Sequence, residues 1–157
     1  MPGEKGEEVA AFSFMLPLAI VFVILSLDQA SKAFISAKIQ LHQTVPVING
    51  ILGITLVHNR GAAFGILRNQ VYLFIITSIA AVVLIYFALK DNRRNKYYVV
   101  CLSLILAGAL GNLIDRLRFG YVIDFLNFYI WPVFNIADSA ITVGAVLLGW
   151  ALLMKKD

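Results

Sequence analysis

Charged residues are scarce in this sequence, and cysteine is nearly absent. Lysine, arginine, aspartate and glutamate make up 14% of the 157 residues, compared with about 25% in a typical soluble domain. The net charge of +4 is modest and the basic residues do not gather into one long patch, so we expect no nucleic-acid partner. The single cysteine, Cys101, excludes an intrachain disulfide and a Cys/His metal cluster. Because its neighbours are apolar, we expect Cys101 to be a buried structural residue rather than a catalytic thiol.

Apolar residues, in contrast, are abundant, at 61% of the chain. A spanning helix needs about 20 mostly apolar residues, and four segments qualify, at about residues 12–37, 71–89, 97–117 and 135–154. We therefore predict an all-α membrane protein with four transmembrane helices. The first segment is interpreted as a retained helix rather than a signal peptide, because an acidic stretch precedes it. Residues 12–157 are predicted to form one membrane domain, and residues 1–11 a disordered cytoplasmic tail.

The orientation of the helices is predicted from the loop between the second and third segments. Residues 90–96 contain four basic side chains and one acidic one, and the chain ends in Lys155-Lys156-Asp157. Because short cytoplasmic loops carry an excess of lysine and arginine, this loop and both termini are expected on the cytoplasmic side. Other basic residues lie toward the opposite side and weaken this prediction: Lys32, Lys38, Arg60, Arg68, Arg116 and Arg118.

The segment between the first two helices predicts a β-hairpin. Residues 43–48 and 51–57 are rich in β-branched side chains, and Asn49-Gly50 separates them. An Asn-Gly pair between two such runs is typical of a tight hairpin turn. We expect a small extracytoplasmic sheet platform here. Residues 118–134, between the third and fourth helices, are expected to form a short extracytoplasmic segment whose many aromatic side chains suit the interface between lipid and water.

Four carboxylates fall within or beside the predicted spans: Asp28, Asp115, Asp124 and Asp138. An ionisable residue in such a place is by default a candidate functional residue. All four lie toward the same predicted end of the helices. A transporter is expected to hold its carboxylates near the midplane, whereas a site at one surface suits chemistry on a substrate presented there.

Two groups of polar residues have structural and functional interpretations that the residues alone leave open. Asp28 and Lys32 are four apart, so they share a helical face and form a structural ion pair, a contact to substrate, or both. Asn112, Asp115 and Arg116 follow a small-residue stretch that lets another helix approach closely. They form either a packing seam or, through the planar fork of Arg116, a clamp for a carboxylate or lipid headgroup.

Residues 59–65, before the second helix, form a loop rich in small residues. Gly61 and Gly65 permit a tight backbone, and Asn59 offers both a donor and an acceptor. The loop is either part of a binding site or a re-entrant turn without a ligand.

Asp124 and Asp138 are the candidates for a catalytic pair. Asn135 and Asp138 share a helical face, and a short loop between antiparallel helices returns Asp124 toward the start of the fourth helix. Two neighbouring carboxylates cannot both ionise, so they share a proton and can act as general acid and base. The alternative is that each caps a helix separately, as aspartates near helix starts often do.

Taken together, five motifs in order resemble one family, the bacterial lipoprotein signal peptidases, or signal peptidase II. The resemblance covers nearly the whole chain after the acidic tail. The motifs are Asp28-Gln29-x-x-Lys32, Asn59-Arg60-Gly61-Ala62-Ala63-Phe64, Gly108-x-x-Gly111-Asn112-x-x-Asp115-Arg116, Val122-x-Asp124-Phe125 and Phe134-Asn135-x-Ala137-Asp138.

The resemblance implies an aspartyl endopeptidase of the bacterial cytoplasmic (inner) membrane, with its active site toward the extracytoplasmic face. Its substrate would be a prolipoprotein that carries a diacylglyceryl group, cut just before the lipidated cysteine. By position, Asp124 and Asp138 would be catalytic. The residues implied to bind substrate or support the site are Asp28, Lys32, Asn59, Gly61, Asn112, Arg116 and Asn135. Besides the substrate, the expected partners are membrane lipids, and the chain is expected to act as a monomer.

No metal or cofactor is expected. The histidines, His42 and His58, have no carboxylate at ligand spacing, which makes a zinc site a poor interpretation. The competing function is a small proton-coupled membrane transporter, and a third is a scaffold in which polar residues only hold helices together. The sequence contains no inverted repeat and no charge within the second span, and its carboxylates cluster at one end. All three observations argue against the transporter.

Overall fold

The computed structural model describes residues 2–61, 70–93 and 95–154, with side chains of the first helix described from Met15 onward. Within these residues the chain forms four helices and three strands. In order they are α1 (Pro2–Lys38), β1 (Thr44–Ile48), β2 (Leu52–Asn59), α2 (Val71–Asp91), α3 (Lys96–Phe119), β3 (Val122–Asn127) and α4 (Ile136–Met154).

The prediction of four spanning helices is confirmed. Within the described residues, four helices are long and apolar enough to cross a membrane: Met15–Lys38, Val71–Asp91, Lys96–Phe119 and Ile136–Met154. Large apolar side chains such as Ile76 and Leu84 on α2 lie exposed on the outside of the bundle. Such a surface is stable in hydrocarbon and unstable in water. The chain is therefore a multi-pass membrane protein.

The first helix begins earlier than the sequence predicted. It starts at Pro2 rather than near residue 12, and so runs through the segment that was predicted to be a disordered tail. Proline is favoured in the first turn of a helix.

Helix α3 is the centre of the bundle and packs against each of the other three helices. The close approach of α4 depends on small residues of α3. A Cβ on Gly108 would collide with the carbonyl oxygen of Ala137, and a Cβ on Gly111 would lie 2.6 Å from Oδ2 of Asp28. The predicted packing seam is thus present, and it brings the start of α4 and the middle of α1 against one face of α3.

The predicted hairpin is present, but the sheet has one strand more than the sequence predicted. Strands β1 and β2 pair antiparallel around a turn in which Gly50 adopts a φ of 73°. The third strand, β3, pairs antiparallel with β2 and completes the order β1-β2-β3. Residues 122–127 belong to the segment that was expected to be an aromatic connection. They become a strand because β2 offers an unpaired edge, a feature of the tertiary structure.

The β3 strand brings Asp124 to the start of α4. Val57 of β2 pairs with Asp124, and Asn59 pairs with Val122. The chain then reverses and returns through a bridge between Leu126 and Phe134. Because this bridge closes the connection immediately before α4, it sets Asp124 beside the first turn of that helix.

Candidate active site

Asp124 is buried, with 1% of its surface exposed. Its Oδ2 accepts a hydrogen bond of 2.8 Å from Nδ2 of Asn59, and its Oδ1 accepts one of 2.7 Å from Nδ2 of Asn135. The strand pairing explains the first contact, and the return of the chain toward α4 explains the second. Both oxygens of a buried carboxyl group are therefore satisfied by asparagine amides.

Asp138 lies in the first turn of α4 and is half-buried. Its Oδ1 accepts a hydrogen bond of 2.7 Å from Nδ2 of Asn112 on α3. Its backbone N–H donates at 2.8 Å to Oδ1 of Asn135, which therefore caps the helix. The carboxyl group of Asp138 is not the helix cap and faces the neighbouring helix instead.

Two asparagines link these carboxyl groups into one network. Nδ2 of Asn135 donates to Oδ1 of Asn112 at 3.1 Å, in addition to its bond to Asp124. It also lies 3.2 Å from the carbonyl oxygen of Ile123. The alternative of two separate caps does not describe this geometry, because Asp124 lies on a strand and Asn135 supplies the cap of α4.

The pKa of Asp124 is raised from 3.8 to about 7. Burial of the carboxyl group is the main cause, and the negative charge of Asp138 adds to it. The hydrogen bonds from Asn59 and Asn135 and the charge of Lys32 act in the opposite direction. At neutral pH the Asp124 carboxyl group is thus protonated in a large fraction of molecules, and its charge state is coupled to that of Asp138.

A buried cluster of three charged residues on α1 and α3 contacts this network. Asp28, Lys32 and Asp115 are each no more than 1% exposed. Nζ of Lys32 lies 2.8 Å from Oδ2 of Asp28 and 2.9 Å from Oδ2 of Asp115. It also donates at 3.3 Å to Oδ1 of Asn112. Asp28 and Lys32 thus form an ion pair, and Lys32 connects that pair to the asparagine that holds Asp138.

The two buried carboxylates, Asp28 and Asp115, also accept backbone N–H groups from elements that carry the site. Oδ1 of Asp28 accepts the backbone N–H of Ala137 at 2.9 Å, and Oδ2 of Asp115 accepts that of Ile123 at 3.0 Å. Asp28 thus fixes the first turn of α4, and Asp115 fixes the strand residue next to Asp124. The ion pair of Asp115 is formed with Lys32 on α1.

Gln29 is a supporting residue that sequence reasoning named only as part of a motif. Its Nε2 lies 3.1 Å from Oδ2 of Asp28, 3.0 Å from Oδ1 of Asp115 and 3.3 Å from the carbonyl oxygen of Gly111. It therefore cross-links α1 to α3. A glutamine beside an aspartate on an apolar helix is a signal that could have identified it.

Arg116 is half-buried at the edge of the pair. Its guanidinium carbon lies 5.2 Å above the centre of the Phe74 ring on α2, a cation–π arrangement. Its charge interacts with those of Asp138, Asp124 and Asp115. Phe74 was not singled out from the sequence, because a phenylalanine in an apolar span carries no local signal.

The loop after β2 is described only at its start. Oδ1 of Asn59 accepts the backbone N–H of Gly61 at 3.0 Å, so one asparagine contacts both the loop and Asp124. Gly61 is buried. The rest of the predicted loop, including Gly65, lies outside the described residues.

His58 is a stacking residue. Its ring lies 3.9 Å from that of Tyr121 at an angle of 18°. Burial, followed by the charges of Arg60 and His42, lowers the pKa of His58, so its neutral form is favoured. In the described part of the chain, no three His, Cys, Asp or Glu side chains are grouped so as to hold a metal ion.

Comparisons with known proteins match almost the full length of the chain. The family described as signal peptidase (SPase) II matches residues 20–154. The lipoprotein signal peptidase of Halothermothrix orenii is 43% identical over 82% of this chain and 89% of its own. That of Pelotomaculum thermopropionicum is 44% identical over 91% of this chain and 95% of its own. A bacterial membrane enzyme solved by the in meso method at 2.3 Å superposes with a TM-score of 0.85 and 38% identity, covering 90% of this chain and 92% of its own.

Proposed function

The chain belongs to the signal peptidase II family, and we propose that it is an aspartyl endopeptidase acting on lipid-modified prolipoproteins, with Asp124 and Asp138 as its catalytic pair. The family processes the signal peptides of lipoproteins. The observation that supports the aspartyl mechanism is the coupling of Asp124 and Asp138, one buried and one half-buried, through Asn112 and Asn135. Two carboxyl groups that share a proton supply both an acid and a base.

The two carboxyl groups are suited to different roles. Asp138 lies in the first turn of α4, where the helix dipole favours a negative charge, and Asn112 donates to it. We assign it as the base. Asp124 has a pKa of about 7 because it is buried next to Asp138, and we assign it as the acid. An acid or base whose pKa lies near the working pH contributes roughly 10²–10⁴-fold to the rate.

The reaction then proceeds in two balanced steps. Asp138 takes a proton from water as the water oxygen attacks the carbonyl carbon of the scissile amide, and Asp124 gives its proton to the carbonyl oxygen. When the tetrahedral intermediate collapses, the C–N bond breaks. The proton held by Asp138 goes to the leaving nitrogen, and the proton on the former carbonyl oxygen returns to Asp124. Arg116 lies beside the pair, where its fixed charge can orient the peptide and stabilise developing negative charge.

The substrate is proposed to be a diacylglyceryl-modified prolipoprotein, cut just before the lipidated cysteine. Such a cysteine keeps its acyl chains in the bilayer and its amide bond at the interface. The pair lies at the ends of spanning helices and beside a sheet with exposed apolar side chains, among them Val47, Ile48 and Ile51. This arrangement suits an amide held at the membrane surface by a lipid.

We propose that the protein lies in the bacterial cytoplasmic (inner) membrane with both termini on the cytoplasmic side. Lys90 in the last turn of α2 and Lys96 at the start of α3 lie at the opposite end of the bundle from Asp124 and Asp138. By the charge asymmetry of short loops, the active site then faces the extracytoplasmic side. Residues 12–157 act as one domain and as a monomer, since a single chain supplies both carboxyl groups.

Cleavage of defined peptides tests the proposal. The full chain in detergent is given a synthetic prolipoprotein peptide with a diacylglyceryl group on its cysteine, or the same peptide with a free cysteine. We expect mass spectrometry to find one product pair from the lipidated peptide, cut immediately before the modified cysteine. Equal cleavage of the unmodified peptide, or a cut elsewhere, would contradict the proposed substrate.

A further inference from the structure

An open cavity of about 660 Å³ lies at the end of the bundle opposite Asp124 and Asp138. Its polar wall comes from the α2–α3 turn and the first turn of α3, and contains Asn92, Asn95, Tyr97 and Tyr98. Its apolar wall comes from the last turn of α4, where Leu152 and Met154 lie. Because three spanning helices end or begin here, the cavity lies where headgroups meet acyl chains.

The polar wall is held in a fixed shape by hydrogen bonds within the chain. Nδ2 of Asn92 donates to the carbonyl oxygen of Ala88 at 2.8 Å, and the hydroxyl of Tyr97 donates to that of Leu147 at 2.9 Å. The second bond ties the start of α3 to the end of α4. The cavity is therefore a built feature of the fold, in which the two helices that form its walls, α3 and α4, are linked directly.

Two hydrogen-bond donors in this wall remain available. Oδ1 of Asn95 accepts the backbone N–H groups of Tyr97 and Tyr98. Among the described residues, neither Nδ2 of Asn95 nor the hydroxyl of Tyr98 has a hydrogen-bond partner. Both groups can donate to an oxygen of a bound ligand.

The segment of the chain that forms this wall is rich in basic residues. The seven residues 90–96 contain Lys90, Arg93, Arg94 and Lys96 and only one carboxylate, Asp91. Arg93 directly follows the wall residue Asn92, and Lys96 lies between the wall residues Asn95 and Tyr97. A ligand that meets these donors in this field should be an anion with oxygen acceptors.

The apolar wall indicates that the anion carries a hydrocarbon chain. Leu152 and Met154 are 57% and 64% exposed on a helix that spans the membrane, so an acyl chain can lie along them. We propose that this cavity binds an anionic glycerophospholipid, with its phosphate at Asn95 and Tyr98 and an acyl chain along the end of α4. A zwitterionic lipid fits less well, because its ammonium group is repelled by the basic turn.

Native mass spectrometry of the full chain tests this inference. The chain is released from micelles that contain equal amounts of dioleoylphosphatidylglycerol and dioleoylphosphatidylcholine, and lipid adducts are counted. We expect a preference for phosphatidylglycerol. In the double variant R93Q/K96Q, the preference for phosphatidylglycerol should decrease about fivefold for each positive charge removed. Y98F, which loses only the hydroxyl, should lose about threefold, in the range of one hydrogen bond.

A matched double variant at the other end of the bundle separates a site from a general effect of charge. K38Q/R118Q removes the same number of charges from exposed positions and should keep the wild-type preference. Equal losses in both double variants, or wild-type adducts in both R93Q/K96Q and Y98F, would overturn the proposal. Displacement of the lipid by millimolar inorganic phosphate would also overturn it, because the site would then recognise a free anion and not a lipid.

Discussion

Asn135 donates a hydrogen bond to Asn112 across the interface between α4 and α3, at 3.1 Å. Each of the two asparagines also donates to one carboxyl group of the proposed pair, Asn135 to Asp124 and Asn112 to Asp138. The distance between the carboxyl groups is thus controlled by a contact between two neutral side chains. Because both side chains are neutral, their contact positions the pair without adding a charge that would change the pKa values of the two carboxyl groups.

The first prediction concerns Asn135, which both caps α4 and holds Asp124. Replacing Asn135 by alanine should lower the free energy of unfolding by about 1–3 kcal/mol, because buried polar partners are left unsatisfied. Cleavage should fall at least tenfold in kcat with a small change in KM, since the pair is misplaced. Asn95→Ala is the matched control, because Asn95 caps α3. It should cost about 1 kcal/mol and leave kcat near wild type. Equal kcat losses in both variants would argue against the positioning role.

The second prediction concerns Lys32. Replacing it by methionine leaves Asp28 and Asp115 buried without their counter-ion, so we expect a loss of about 3–5 kcal/mol in stability. Thermal unfolding in detergent measures this loss. Adding Asp115→Asn to Lys32→Met removes one of the stranded charges and should recover part of the stability. A double variant no more stable than Lys32→Met alone would show that the ion cluster does not carry the effect.

The third prediction concerns the approach of α4 to α3. A methyl group on Gly108 would meet the backbone of Ala137, so Gly108→Ala should lower stability by about 1–3 kcal/mol through overpacking. It should also reduce cleavage, because Ala137 adjoins Asp138. Gly149→Ala makes the same change on α4, where nothing lies within 4 Å of the added carbon. That variant should be neutral or stabilising by up to about 1 kcal/mol. Similar melting curves for both variants would be inconsistent with close helix packing.

The fourth prediction concerns pH. Asp124 has a raised pKa of about 7 and is proposed to act as a protonated acid. Activity should therefore fall as pH rises through 7, by about tenfold per unit at higher pH. The Asn59 hydrogen bond lowers the pKa of Asp124, so Asn59→Ala should move the alkaline limb of the kcat/KM profile to higher pH.

A control within the same sheet tests the cause of that shift. Nδ2 of Asn127 donates to Oγ1 of Thr55 at 2.9 Å, so Asn127→Ala also removes an asparagine bond from the sheet. Its alkaline limb should stay at the wild-type pH. An alkaline limb that moves to lower pH in Asn59→Ala would contradict the assignment of Asp124 as the acid. So would a limb that moves equally in Asn59→Ala and Asn127→Ala.

The four helices were predictable because hydrophobic length is a local property that a membrane selects directly. The ends agree within two residues for α2 and α3, predicted at 71–89 and 97–117 and observed at Val71–Asp91 and Lys96–Phe119. The hairpin was predictable from Asn49-Gly50 between two β-branched runs. Strand β3 was not, because its partner β2 is more than 60 residues away and six residues give little periodic signal.

Within the candidate site, the sequence predicted contacts along one helix better than contacts between helices. Asp28 and Lys32 were predicted to share a helical face, on which they can pair, because they are four apart on α1. The pairing of Lys32 with Asp115 joins two helices, and spacing along either one cannot indicate it. The same limit applies to Phe74 under Arg116, since only the packing of α2 against α3 brings the two together.

The central claim is that Asp124 and Asp138 together perform the cleavage, and single replacement of each by asparagine tests it most directly. The full chain carrying Asp124→Asn or Asp138→Asn is assayed with the lipidated peptide beside Asp91→Asn, the same change at the far end of the bundle. We predict that both site variants lose at least about 10²-fold in kcat/KM while remaining folded, and that Asp91→Asn cleaves as the wild type does. Cleavage at the wild-type rate by either Asp124→Asn or Asp138→Asn would contradict the account.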